Sequence, residues 1–255
     1  MSPAWVTLDD LPIYEEDLFL EAGIELLPLA KALVQCNHTR FTRFPHSKGI
    51  ARIVNLLEWE SHAYHEFLDG EGIFADQVVH VAIHQAVDKM TGGRHPENML
   101  LAEALASSSD VYLIGQLSRA GCETDFLAET LESLGSYFEM YGEGESQLAA
   151  FLEQVLARPF ETMVAVSDYL YEFCMPLLYP DSVSEMAAQL RELERQPFYP
   201  LIHHYNTTNW ILTIRGTYPQ WYPDSGGTAE VRKQLCGDEA HFLAAFRELV
   251  LDLRA

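Results

Sequence analysis

The segment VVHVAIHQAVDKM, residues 78 to 90, is apolar on nearly every side. Val78, Val79, Val81, Ala82, Ile83, Ala86, Val87 and Met90 leave little room for a solvated stripe, and a helix of that kind has to be enclosed by other elements. It therefore demands a chain long enough to wrap it. With 255 residues this chain has material for one large domain or two small ones. His80 and His84 sit on the segment four apart, and so on one helix face. An imidazole carried into an apolar interior needs a partner there: a hydrogen bond, a metal, a cofactor or a substrate.

Helical periodicity also dominates elsewhere. It predicts helices over 16–34, interrupted near Pro28, over 49–69, ending at the Gly70/Gly72 turn, and over 75–91, stopped by Gly92-Gly93. Pro96 reads as a first-turn proline of a helix to about Arg119, with Gly121 just past its end. Further helices are predicted at 123–140, 145–157 and 160–178. Ser182 and Glu185 fit a capping box opening a helix to about Gln196. Another helix is predicted from Pro200 to Ile214, and a last one from Asp238. No segment alternates apolar and polar residues with turns at hairpin spacing. The expectation is all-α: a single helical domain over residues 1–255, with 1–45 as a peripheral N-terminal arm. The longest irregular stretch, RGTYPQWYPDSGGT at 215–228, is aromatic enough to be either a functional loop or a packed cap.

Sixteen basic against 38 acidic residues leave a net charge of −22. Such a surface repels phosphate backbones and anionic lipid, so neither nucleic acid nor membrane is an expected partner. The basic stretch HTRFTRFPHSKGIAR at 38–52, with Arg40, Arg43, Lys48 and Arg52, runs against this trend. It reads as a solvated loop or as a cationic patch for an anionic ligand. Cys36, Cys122, Cys174 and Cys236 are scattered without a CxxC pair, and the acidic N-terminus is no secretory signal. A cytoplasmic protein with reduced thiols is expected.

His80 and His84, followed after eighteen residues by Glu103, give a His-xxx-His-x18-Glu spacing that resembles the gluzincin metallopeptidases. Those enzymes read HExxH, with the glutamate polarising a zinc-bound water; here that position is Val81. Two imidazoles and a carboxylate also form a facial triad for iron(II). A zinc or non-haem iron(II) protein is therefore one expectation. A non-catalytic acidic module that binds another protein is another.

VAIHQAV around His84 resembles the distal-histidine helix of tryptophan 2,3-dioxygenases. Tyr64, Phe67 and Leu68 are similar to that family's pocket-lining Tyr-x-x-Tyr-Leu segment. LIHHYNTTNWILTIRGT, then SGGT, then FLAAFRELVLDLR resemble its proximal-histidine helix, active-site loop and closing helix in the same order. Ala86 to Met90 stand where the family continues with tryptophan, and its central arginine motif has no counterpart. The resemblance is therefore to the wider group of histidine-ligated haem-dependent aromatic oxygenases.

That resemblance implies a tryptophan 2,3-dioxygenase-like helical bundle around haem b, with O2 or hydrogen peroxide as oxidant, in a homo-oligomer. It implies ring hydroxylation of L-tyrosine or a close analogue in natural-product biosynthesis, with tryptophan or indole oxidation as the alternative. His204 would be the axial iron ligand, with His203 the alternative, and His84 would be catalytic on the opposite side. Tyr64, Phe67, Leu68, His80, Ser225, Gly226, Gly227 and Thr228 would bind substrate. Arg215, Arg40 and Arg43 would be the cations for the haem propionates.

Overall fold

The structure, a computed structural model, describes residues 5–43, 52–54, 64–92, 95–220 and 227–254. It forms two compact units, residues 1–86 with 239–255, and residues 87–238. The described residues form twelve α-helices and only short strands, so the fold class is all-α.

In the first unit, β1 (Trp5–Val6), β3 (Arg40–Arg43), β4 (Arg52–Val54) and β5 (His65–Asp69) make a sheet in the order β1-β3-β5-β4. β3 and β5 are parallel, with Phe41 opposite Glu66 and Thr42 opposite Phe67, and the outer pairs are antiparallel. β2 (Ile13–Tyr14) and β6 (Ile73–Phe74) pair in parallel. The helices α1 (Glu16–Glu21), α2 (Leu26–Cys36) and α12 (Glu239–Arg254) complete this unit, with α12 packed on α2. Phe19, Leu26, Leu33, Phe41, Leu68, Phe242 and Phe246 are fully buried and form its core.

Two expectations need correction here. The helix predicted over 49–69 is absent where the chain is described: residues 52–54 and 65–69 are strands. Tyr64, Glu66 and Leu68 are buried in alternation, and a carboxylate on the inner face hid the two-residue period. The break in the first helical region falls at Ala22-Gly23, not at Pro28. Pro28 is the third residue of α2, where its missing N–H leaves no intrahelical bond unmade.

The unit boundary falls within α3 (Ala75–Thr91), whose residues 78, 79 and 81–87 are all buried, as the apolar run predicts. The second unit is built on α4 (Pro96–Ala120), which is enclosed almost all the way round. Pro96 is its first residue, and Gly121 closes it in the left-handed region at φ 69°. The unit continues with α5 (Asp125–Tyr141), α6 (Glu145–Ala157), α7 (Pro159–Leu178), α8 (Val183–Leu193), α9 (Tyr199–His204), α10 (Thr207–Thr217) and α11 (Thr228–Leu235). The α4–α7 contact is the most extensive, and α6, α10 and α11 also touch α4. Arg232 ties α11 to α7, donating to Asp168 at 2.7 Å and Glu172 at 2.5 Å, two carboxylates one turn apart.

Ser182 caps α8 by accepting from the Glu185 N–H at 3.1 Å; the Glu185 carboxylate reaches back to the Asp181 N–H at 2.8 Å, one residue before the cap. The helix predicted from Pro200 to Ile214 is in fact two, because Asn206 takes a left-handed conformation at φ 54° between α9 and α10. Thr124 caps α5 through its hydroxyl, which accepts from the Leu127 N–H at 3.0 Å. Thr124→Ala removes that acceptor and should lower stability by about 1 kcal/mol in urea melts.

Candidate functional site

α3 presents His80 and His84 one turn apart, their ring centroids 4.9 Å from each other. His84 is only 3% exposed. The neighbouring Gln85 is structural: its side chain donates to the Thr39 hydroxyl at 2.9 Å and accepts from the Asn37 amide at 2.8 Å. These two bonds tie α3 to the turn between α2 and β3 and fix its rotation, and with it the direction in which the imidazoles project. On α4, Glu103 is 7% exposed in a stretch otherwise made of Leu and Ala.

The ligand atoms that His80, His84 and Glu103 can offer all lie within 4.8 Å of one another. It is the one such trio among the described residues. A metal held at about 2.1 Å from each donor needs those donors on the order of 3 Å apart, which small side-chain rotations would supply. Two imidazoles and a carboxylate form a borderline donor set suited to iron(II), zinc or manganese, not to calcium. The Glu103 spacing read from the sequence is thus realised in space. Val81, where a metallopeptidase carries its glutamate, is buried and apolar.

The other predicted site residues are dispersed. Tyr64 and Leu68 face the core from one side of β5, while Phe67 lies on the opposite face, stacked on His65 at 5.1 Å. The three therefore do not line one face of the strand. Arg40 lies over the Trp5 ring at 4.7 Å. Arg43 pairs with Glu71 at 3.4 Å and donates to the Asp10 carbonyl at 3.3 Å. Arg215 is half-buried on α10. Ser225 and Gly226 lie outside the described residues. Gly227 precedes α11 at φ 98°, and Thr228, 1% exposed, opens that helix against the Tyr171 hydroxyl.

His203 and His204 end the short α9, against α5. His203 stacks face to face on Tyr141, with centroids 3.6 Å apart. His204 shares a hydrogen bond with Ser133, Nδ1 to Oγ 3.0 Å, and meets the rings of Tyr137 and Tyr205 edge-on. The left-handed Asn206 separates His204 from Thr208 and Ile211, so four-residue spacing does not set them on one continuous helix face. The sequence reading missed Ser133 and Tyr137, because partners across two helices leave no spacing signal.

Burial lowers the His204 pKa from its ordinary 6.5 to about 4. Above pH 6.5 the ring is neutral in folded and unfolded chains alike. As pH falls from 6.5 toward 4, the unfolded chain takes up a proton that the folded chain refuses, so stability is lost across that window. The loss should approach about 3 kcal/mol. His204→Gln, which has no titrating ring, should flatten the acid limb in urea melts taken through this range.

No family model, curated protein or solved structure matches the chain. No described helix is long and apolar enough to cross a membrane.

Proposed function

We propose that the chain is a metal-dependent enzyme in which His80, His84 and Glu103 hold one divalent first-row ion, iron(II) before zinc, as a two-histidine, one-carboxylate triad. The observation that carries this reading is the convergence within 4.8 Å of three donors from consecutive helices, His84 and Glu103 buried and His80 partly so. Three protein ligands leave further positions for exogenous molecules, and at such a site the ion supplies Lewis acidity or, as iron(II), oxygen activation. The apolar Val81 beside the histidines supports oxidation over hydrolysis, since it offers no carboxylate to take a proton from water. His80 and His84 hold the ion from one turn of α3. Glu103 offsets its charge.

A second reading keeps the haem-dependent aromatic oxygenase, with His204 as axial ligand. His204 supports it by being kept neutral and by having Nδ1 engaged by Ser133, which would leave Nε2 to bind iron. It ranks second because two of its propionate cations, Arg40 and Arg43, already have partners.

One experiment decides between them: metal analysis and a visible spectrum of protein purified from cells given iron and a haem precursor. One equivalent of non-haem metal, lost with His84→Ala, is the expected outcome. An intense porphyrin band lost with His204→Ala would favour haem. A colourless protein that takes up neither overturns both.

A further inference from the structure

The outer face of the first unit's sheet runs against the charge of the chain. Trp5, Arg40, Thr42, His65 and Phe67 share it, since the register sets Thr42 between Trp5 and Phe67 and puts Arg40 opposite His65. The alternate residues Phe41, Tyr64, Glu66 and Leu68 point the other way and are buried. Two piles of flat groups result. Arg40 lies over the Trp5 indole at 4.7 Å, and His65 stacks on Phe67 at 5.1 Å with 15° between the rings. Between the piles Thr42 shares a hydrogen bond with His65, Oγ1 to Nε2 2.6 Å, which holds the imidazole in place.

Trp5 is 52% exposed, and Arg40 beside it is exposed as well. The guanidinium meets the indole face but forms no hydrogen bond or ion pair among the described residues. Lys31, Arg43, Arg195, Arg232 and Arg247 each hold a carboxylate. In a chain of 38 acidic and 16 basic residues, an arginine without one is an exception that asks for an anion from outside. A guanidinium stacked on a ring keeps its N–H donors in its own plane, where a carboxylate can take two of them.

A sheet face with an exposed indole encloses a small molecule poorly. Tryptophan and arginine are, however, the residue types that anchor protein interfaces. The net charge of −22 disfavours a polyanion such as nucleic acid on the same face. We infer that this face docks an acidic segment of another protein, with Trp5 as the apolar anchor and Arg40 receiving an aspartate or glutamate carboxylate. The surface uses residues of the first unit alone and does not depend on the metal centre proposed above.

The test pans a random heptapeptide library on the full chain, with the Arg40→Gln and Trp5→Ala chains as counter-targets. Diffuse attraction to so acidic a protein favours basic peptides, so selection of acidic ones has to come from a local cation. Peptides rich in aspartate and glutamate should emerge from the wild-type chain. The best of them, measured by fluorescence anisotropy, should bind each variant at least about tenfold more weakly. Both substituted side chains are exposed, and circular dichroism should show both variants folded. Selection without acidic enrichment overturns the proposal, as do acidic peptides that bind Arg40→Gln as tightly as the wild type. Sedimentation of the chain alone addresses the other occupant: a dimer that Arg40→Gln dissociates would assign the face to a second copy and overturn a foreign partner.

Discussion

His84→Ala is expected to abolish stoichiometric metal uptake, weakening affinity by more than about a hundredfold. Groups that merely orient a ligand cost about ten- to a hundredfold when removed, and His84 is proposed as a ligand itself. His80→Ala should behave alike, since its ring stands 4.9 Å from that of His84 on the same turn. Glu103→Gln is the sharper variant, because it keeps the shape of the side chain and removes the charge. Without metal, the two proteins should melt alike, because the amide keeps the volume and reach of the carboxylate. With metal, the wild type should pull ahead. An ion at a hundred times its Kd stabilises the wild type by about 2.7 kcal/mol, and the variant should not respond. Isothermal titration and thermal melts with and without iron(II) or zinc check both statements. If the trio is only a hydrogen-bonded knot in the core, Glu103→Gln melts lower and added metal moves neither protein.

The trio was legible in the sequence because the signal was local. Two histidines four apart mark one helix face, and a Gly-Gly stop followed by a first-turn proline marks where the next helix, with its glutamate, begins. What escaped was set by contacts distant in the chain. Glu66 is 1% exposed on the inner face of β5, so Tyr64-His65-Glu66-Phe67-Leu68 reads as a helical pattern although it is a strand. Asn206 carried a weak signal, being a residue type that tolerates the left-handed region, but the apolar period continues through it. The Ser133–His204 bond spans 71 residues and has no local signature.

The largest effect on stability is expected at Gly115, where α4 meets the start of α7. A Cβ there would lie 2.6 Å from both Cβ and Cγ of Pro159 and 2.8 Å from the Val155 carbonyl oxygen. The oxygen belongs to the backbone of α6 and the ring is rigid, so neither can swing aside. In a free helix, Gly→Ala would gain roughly 1 kcal/mol from propensity. Here overpacking should outweigh that gain and leave Gly115→Ala destabilised by up to about 2 kcal/mol. Gly135, inside α5, is the internal control, because its nearest atom would be Leu148 Cδ2 at 3.9 Å. Gly135→Ala should therefore stabilise by about 0.5–1 kcal/mol. Opposite signs for one chemical change in urea melts would establish that close approach, not helix propensity, fixes α4 against α7. That contact sets the rotation of α4, and hence the direction of the face carrying Glu103. A folded Gly115→Ala protein should therefore also lose metal affinity, although residue 115 lies twelve positions from the proposed ligand.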